Sequence, residues 1–221
     1  MTETPLRDDI ELEAKPLAIA GKRLEILCVK DLEPFVADLE QSGEIGVEGF
    51  PFWVKIWEAS IVLTDRLLHM DLEKNRNILE LGAGMGITGL FLGAFGHRVT
   101  VSDNNPDALS LIRRNAAHNS IDNVRVAKLD WHHPEIEESF DIICGSELIY
   151  KKSDARPVID ILLQMLAADG TVYLAHDISR MSMMHFLTEA EPHFDISHKG
   201  MSFSGGGKNK KIVIHTLKRK T

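Results

Sequence analysis

From Asn77 onward, apolar positions alternate between two rhythms, short runs suited to strands and longer stretches with helical spacing. NILEL (77–81) is a strand stopped by Gly82, GITGLFLGAF (86–95) a helix, and RVTVSD (98–103) a strand with a branched-residue centre. Asn104-Asn105-Pro106-Asp107 opens the next helix, with an Asn cap, Pro in the first turn and an acid against the positive helix end. NVRVAKL (123–129) and FDIICG (140–145) read as the third and fourth strands of this series. Val158, Ile161, Leu162, Met165 and Leu166 then follow the i, i+3, i+4, i+7, i+8 rule for a helix lying on a sheet. Asp169-Gly170 is expected to end that helix, before TVYLAH (171–176) as the fifth strand. A helix from Met184 to Glu191 and strands near His193–Ser197 and Lys211–Leu217, flanking three consecutive glycines, complete the pattern.

Strand–helix alternation of this kind predicts an α/β fold: a doubly wound, mostly parallel seven-stranded sheet with helices on both faces. The last two strands lack a helix between them and are expected to form an antiparallel hairpin at the edge. Upstream, IELEAK (10–15) and KRLEILCV (22–29) read as two short strands around Ala20-Gly21, followed by a helix from Leu32 to Leu39. The glycine-rich loop SGEIGVEGFPF (42–52) suggests a boundary, with residues 1–49 an α+β extension and 50–221 the main domain. From Trp57 to Met70 the chain is helical in character, with Trp57, Ile61 and Leu68 on one side.

A chain of 221 residues with 44% hydrophobic and 26% charged residues can fill a real core, so disorder and a disulfide-stapled miniprotein are excluded. The net charge of −8 disfavours a phosphate backbone as partner, and nucleic-acid binding is not expected. That charge is uneven. Residues 1–49 hold twelve acids and five bases, whereas 196–221 hold seven bases and no acid. The tails read as solvated edges or mutual partners; the functional alternative is that the acidic segment meets a basic partner. Cys28 and Cys144 sit in apolar runs and suit buried free thiols of a reducing compartment. The acidic start lacks the apolar core of a signal peptide, and no run approaches the ~20 apolar residues of a membrane span, so a cytoplasmic location without a membrane partner is expected.

In a doubly wound sheet the ligand lies beyond the carboxyl ends of the strands. The first such end here is Glu80-Leu81-Gly82-Ala83-Gly84-Met85-Gly86, where alternate glycines allow a tight turn and bring bare amides to a helix start. Asp103 ends the next strand, where a carboxylate can accept both hydroxyls of a ribose, with Asn104 beside it. Gly84 to Gly89 also spells the dinucleotide fingerprint GxGxxG, but it starts two residues late, after Gly82 has already turned the chain. Tyr150 has Asp154 rather than Lys four residues on, so the short-chain dehydrogenase pairing is absent.

The other register, E-x-G-x-G-x-G with Glu80 on the strand, resembles motif I of the seven-strand S-adenosylmethionine-dependent methyltransferases. The resemblance extends from about Phe52 to Leu217 and implies S-adenosylmethionine as cofactor and S-adenosylhomocysteine as product. Asp103 takes the ribose position, and Asp130-Trp131 resembles the family's adenine contacts, a carboxylate for the exocyclic amine and an aromatic face for the ring. Phe52-Trp53-Val54-Lys55-Ile56-Trp57-Glu58-Ala59 is similar to the W-x-A segment of the protein lysine methyltransferase group often called family sixteen. Its aromatic opening is similar particularly to the electron-transfer-flavoprotein lysine methyltransferases. The residue matching Trp57 lines the cofactor pocket in that group; Glu58 stands where many members have Pro. The stretch Ser146-Glu147-Leu148-Ile149-Tyr150 matches the group's acid–x–x–aromatic signature, which implies Glu147 and Tyr150 as catalytic residues with Ser146 beside the cofactor.

These likenesses imply an enzyme that methylates a protein side-chain nitrogen, most simply lysine, without a metal. Histidine, a small-molecule amine and a catalytically silent S-adenosylmethionine-binding module remain as other readings, with a dinucleotide oxidoreductase more distant. The amino-terminal segment, the loop from Phe50 to Trp57 and the Met181 region are expected to form the substrate rim, and a monomer is the simplest assembly. Other clusters read as structural. His132-His133 has no third ligand spaced for zinc. His176-Asp177 reads as a hydrogen-bonded loop pair, and Met181, Met183 and Met184 as helix core or an adaptable lip. The basic turn from Ser204 to Lys211 lacks the spacing of a P-loop.

Overall fold

A computed structural model describes residues 6–7, 9–33, 51–205 and 207–220. Nine strands and five α-helices lie within them. In chain order these are β1 (Leu12–Ile19), β2 (Lys22–Val29), α1 (Glu58–Leu68), β3 (Ile78–Leu81), α2 (Ile87–Ala94), β4 (Val99–Asp103), α3 (Pro106–His118), β5 (Val124–Lys128) and β6 (Phe140–Ser146). α4 (Ala155–Met165), β7 (Leu166–Asp177), α5 (Ser182–Ala190), β8 (Phe194–Gly205) and β9 (Lys208–Arg219) follow. The expected helix from Leu32 to Leu39, the glycine-rich loop up to Phe50 and the boundary drawn there fall largely outside the described residues.

The main sheet has the order β5-β4-β3-β6-β7-β9-β8. Its β3, β4, β5, β6 and β7 pair in parallel, and β9 joins β7 and β8 antiparallel, so the C-terminal hairpin sits at the edge as the missing crossover helix requires. Strand alternation divides the core. Ile78, Val101, Ile142 and Cys144 pack toward α1, α2 and α3, while Leu79, Leu81, Ile143 and Val172 pack toward α4 and α5. Both thiols are buried and free. Among the described residues no helix is long and apolar enough to cross a membrane.

Several boundaries differ from the expected ones. The helix expected to run to Asp169-Gly170 ends at Met165, and the chain passes directly into β7. Its terminal carbonyls at Leu163 and Leu166 accept hydrogen bonds from the Arg219 guanidinium on β9, at 2.5 and 2.8 Å, so no glycine is needed to finish it. β8 and β9 are also longer than their apolar runs, because they pair with each other along their full length, from Phe194 opposite Arg219 to Gly205 opposite Lys208. In α1 the fully buried face is Ala59, Val62, Leu63 and Leu67; Ile61 and Leu68 are half-buried, and Trp57 is the cap residue before the first turn.

The β1–β2 hairpin is joined to the main domain rather than standing apart. Asn115 on α3 and Asn119, which caps its C-terminus one turn later, each donate to and accept from the backbone of β2, at Leu27 and Glu25 respectively, at 2.7 to 3.1 Å. Two side-chain amides thereby imitate a neighbouring strand and satisfy an otherwise open edge. Ile26 and Leu24 enter the same core as Leu111 and Ile112.

His176 on β7 and His215 on β9 stack with their rings 5.1 Å apart, and their Nε2 atoms lie 3.0 Å from each other. One nitrogen must donate and the other accept, so the contact requires the pair not to be doubly protonated. Burial, then the neighbouring His176 and His198, pull His215 down to about 4. An unfolded histidine regains its proton near ~6.5, so stability from this site is full at neutral pH and declines as pH falls from about 6.5 toward 4. The slope is at most about 1.4 kcal/mol per pH unit for one group. Thermal melting should therefore fall more between pH 7 and pH 5 in the wild type than in His215→Asn; equal falls would contradict this account.

Candidate functional site

The sheet order reverses beside β3, whose neighbours are β4 on one side and β6 on the other. Loops leaving the carboxyl ends of β3 and β6 therefore diverge and open a crevice. A cavity of about 390 Å³ lies there. Trp57, Gly82, Gly84, Asp103, Asn104, Asp130, Trp131, Ser146, Glu147 and Tyr150 all line it, although they come from five separate stretches of chain. Lys55, Ser60 and Met85 line it too, and so does His132, which the sequence reads as structural together with His133. No described residue of 6–33 does.

The loop after β3 explains its glycines. Gly82 has φ +52, and a Cβ there would fall 2.8 Å from Leu148 and 3.1 Å from the Trp131 ring, so a bare backbone is what lets both close over the turn. Gly86 has φ +69 as the residue before α2, where a Cβ would meet Ile112 at 2.9 Å; its place is against the core, outside the cavity. Glu80 is likewise behind the loop. Its Oε2 accepts from the Gly89 amide at 2.7 Å in the first turn of α2, and burial pushes its carboxyl up to about 7. Glu80 and Gly86, expected beside the cofactor, are not among the residues lining the cavity: Glu80 ties β3 to the first turn of α2, and Gly86 packs against Ile112.

Asp103 ends β4 and holds two backbone amides, Gly84 N to Oδ2 at 2.8 Å and Asn105 N to Oδ1 at 2.9 Å. Burial pushes its carboxyl up, and these bonds oppose that shift. A carboxylate has about four lone-pair sites, so acceptor capacity remains toward the cavity. The cap of α3 is Asn105, whose side chain accepts from Asp107 N and Ala108 N, which leaves Asn104 on the cavity wall. Asp130 accepts from the His132 amide at 2.9 Å, which holds its carboxyl below the usual range and leaves it ionised beside Trp131.

Glu147 belongs to the same lining. It is 5% exposed and has φ +55, a left-handed conformation that costs a non-glycine residue about 1–3 kcal/mol. The strained turn is over-determined. Its amide donates to Ala175 O at 2.9 Å, its Oε1 accepts from Asp177 N at 2.8 Å, and its Oε2 accepts from Arg180 Nε at 2.9 Å. Tyr150 stacks on Phe52 with ring centroids 4.9 Å apart, and burial, then the Glu147 charge, push its hydroxyl up to about 12. Trp57 donates its indole N–H to Phe52 O at 3.1 Å, which fixes the ring on the cavity wall.

Arg180 is the residue that sequence reasoning missed. Its guanidinium pairs with Glu147 and lies over both aromatic rings, 5.4 Å from Trp57 and 5.2 Å from Tyr150. It follows the His176-Asp177 strand end, and nothing in the local pattern distinguishes it from a solvated loop arginine. The methionines split: Met183 is buried, whereas Met181 and Met184 are 77% and 60% exposed, so only the first belongs to the helix core. His176 is buried against His215, as a structural histidine.

A family model described as lysine methyltransferase matches residues 46–193. Protein N-lysine methyltransferase METTL21A of Xenopus tropicalis is 28% identical over 158 residues, a match covering 63% of this chain and 71% of that protein. EEF1A lysine methyltransferase 3 of the same organism is 29% identical over 146 residues, covering 63% of this chain and 64% of that protein, just under two thirds of its length. Among solved structures, the glycopeptide N-methyltransferase MtfA complexed with (S)-adenosyl-L-methionine has a TM-score of 0.61 at 14% identity, covering 73% of this chain and 94% of that one, a likeness of fold. With the family model spanning more than half of its length, the chain belongs to the lysine methyltransferase family, S-adenosylmethionine-dependent methyltransferases built on this seven-stranded sheet.

Proposed function

We propose that the cavity binds S-adenosylmethionine and that its Glu147–Tyr150 end receives a lysine side chain of a protein substrate. One observation carries this reading: a single cavity joins the Asp103 and Asp130-Trp131 end to a buried carboxylate flanked by two aromatic rings. Its volume and lining fit a nucleoside with a polar tail. Asp103 would accept the ribose hydroxyls, Asp130 the adenine amine, and Trp131 the face of the ring. The bare loop at Gly82 and Gly84, with Asn104, Ser146 and Trp57, would hold the remainder. Bound there, the cofactor supplies a methyl group on positively charged sulfur, already activated for transfer.

The chain's own task is to deliver a nitrogen lone pair. A lysine amine has an unperturbed pKa near ~10.4 and arrives protonated at neutral pH. Glu147 would attract that ammonium, orient it and help remove its proton, directly or through water. Tyr150 and Trp57 form aromatic walls that favour a cation and exclude competing water. Raised to about 12, the Tyr150 hydroxyl stays protonated and adds no second negative charge. Exposed Ile178, Met181 and Met184 beside this end would belong to the protein-binding rim, together with the loop before Trp57 and the amino-terminal segment. We place this activity in the cytoplasm, on a protein rather than a nucleic acid, with the chain acting as a monomer. The domain division at residue 50 is part of the same proposal.

The test is the chemical identity of the modified residue. A substrate labelled in a cell extract by the wild-type chain and methyl-labelled S-adenosylmethionine is hydrolysed to amino acids. Label should migrate with methylated lysine. Migration with methylated histidine would contradict the lysine assignment while keeping the protein as substrate.

A further inference from the structure

We propose that Arg180 is the specificity-determining residue of this site: its guanidinium occupies the place of the acceptor ammonium, and only a nitrogen delivered by a docked protein displaces it. The inference rests on the methyltransferase reading above. A carboxylate only 3% exposed, with two aromatic rings nearby, forms a receptacle for a cation; Arg180 holds the carboxylate and lies 5.2 Å from the Tyr150 ring, while Lys55 Nζ sits 3.9 Å from the Trp57 ring on the cavity wall. Arginine suits the role chemically. It stays protonated throughout the physiological range, and its nitrogen lone pairs are delocalised, so it fills the site without competing for the methyl group. It also compensates Glu147, whose buried charge would otherwise stand unpaired between substrates.

The surrounding geometry separates a movable side chain from a fixed backbone. Arg180 N donates to Asp177 O at 2.9 Å, Ser179 N donates to the Asp177 carboxylate at 3.0 Å, and Ile178 N donates to Lys211 O at 2.9 Å. Asp177 is itself paired with Lys210 at 2.7 Å. The segment is pinned to β9, so the guanidinium leaves by side-chain rotation. Ile178 and Met181 flank it in the chain, at 57% and 77% exposed. A protein substrate that covers them supplies a high local concentration of its lysine at the receptacle. A free amine lacks that advantage and must compete with Arg180 at its bulk concentration.

Arg180→Lys converts the surrogate into an acceptor. In that variant the Nζ lone pair forms a bond to the methyl carbon and the S–C electron pair stays on sulfur. The proton shed by the ammonium passes to Glu147 or to water. Incubated with S-adenosylmethionine, the Arg180→Lys chain should gain methyl mass at residue 180 by peptide mass spectrometry, and the wild-type chain should gain none there. Absence of the modification, in a variant that binds S-adenosylhomocysteine as the wild type does, overturns the proposal if the wild type labels proteins in an extract. If the wild type labels no protein, the underlying methyltransferase reading falls instead. Should Arg180→Lys lose cofactor binding, Arg180→Ala with Nα-acetyl-lysine amide as probe decides the matter. Removal of a charge-assisted competitor predicts at least about a tenfold rise in kcat/KM for that small amine, and an unchanged value overturns the proposal.

Discussion

Glu147→Gln is expected to bind S-adenosylmethionine as the wild type does and to lose methyl transfer by roughly 10²- to 10⁴-fold, the range of a positioned acid–base group. Glutamine has the same shape and keeps an oxygen for the Asp177 amide, so the strained turn at φ +55 retains its main support. What disappears is the charge. Without it the site has no preference for an ammonium and no acceptor for its proton, and the amide NH₂ opposes the Arg180 guanidinium instead of pairing with it. Calorimetry with S-adenosylhomocysteine, alongside initial rates on a labelled substrate, separates binding from chemistry. Wild-type turnover in the variant would remove Glu147 from the mechanism.

Asp103→Ala is expected to weaken cofactor binding by about 1–3 kcal/mol, roughly 5- to 150-fold in dissociation constant. Two contributions act together. The carboxylate loses its own bonds to ribose hydroxyls, and Gly84 N and Asn105 N lose the acceptor that fixes the loop after β3 and the start of α3. Asp103→Asn keeps an oxygen for one of those amides without the charge, so its affinity should fall between alanine and wild type. Unchanged affinity in both variants would reject the ribose assignment. A fall in melting temperature with unchanged affinity would show a purely structural role.

The sheet was readable because its strands obey local rules. Ile78, Val101 and Ile142 belong to short runs buried on both faces, and Val158, Ile161, Leu162 and Met165 repeat at helical spacing. The cavity lining was readable for a related reason: Asp103, Asp130 and Glu147 each stand at or just past a strand's carboxyl end, where the topology brings them to one crevice. Features that escaped depend on partners distant in the chain. Arg219 finishes α4 from β9, Asn115 and Asn119 complete the edge of β2, and Arg180 reaches Glu147 across 33 positions. For Glu80 strand alternation permits either face, and the hydrogen bond from the Gly89 amide shows which one it takes. A sequence motif records that an acid is needed at such a position, but its hydrogen-bond partner reveals whether that acid serves the ligand or the loop.

The most direct measurement adds the purified chain and methyl-labelled S-adenosylmethionine to an extract from cells lacking this protein, followed by gel autoradiography. One or a few labelled protein bands, absent with Glu147→Gln, are the predicted result. Label confined to the small-molecule fraction, or protein bands equally strong with Glu147→Gln, would contradict the account.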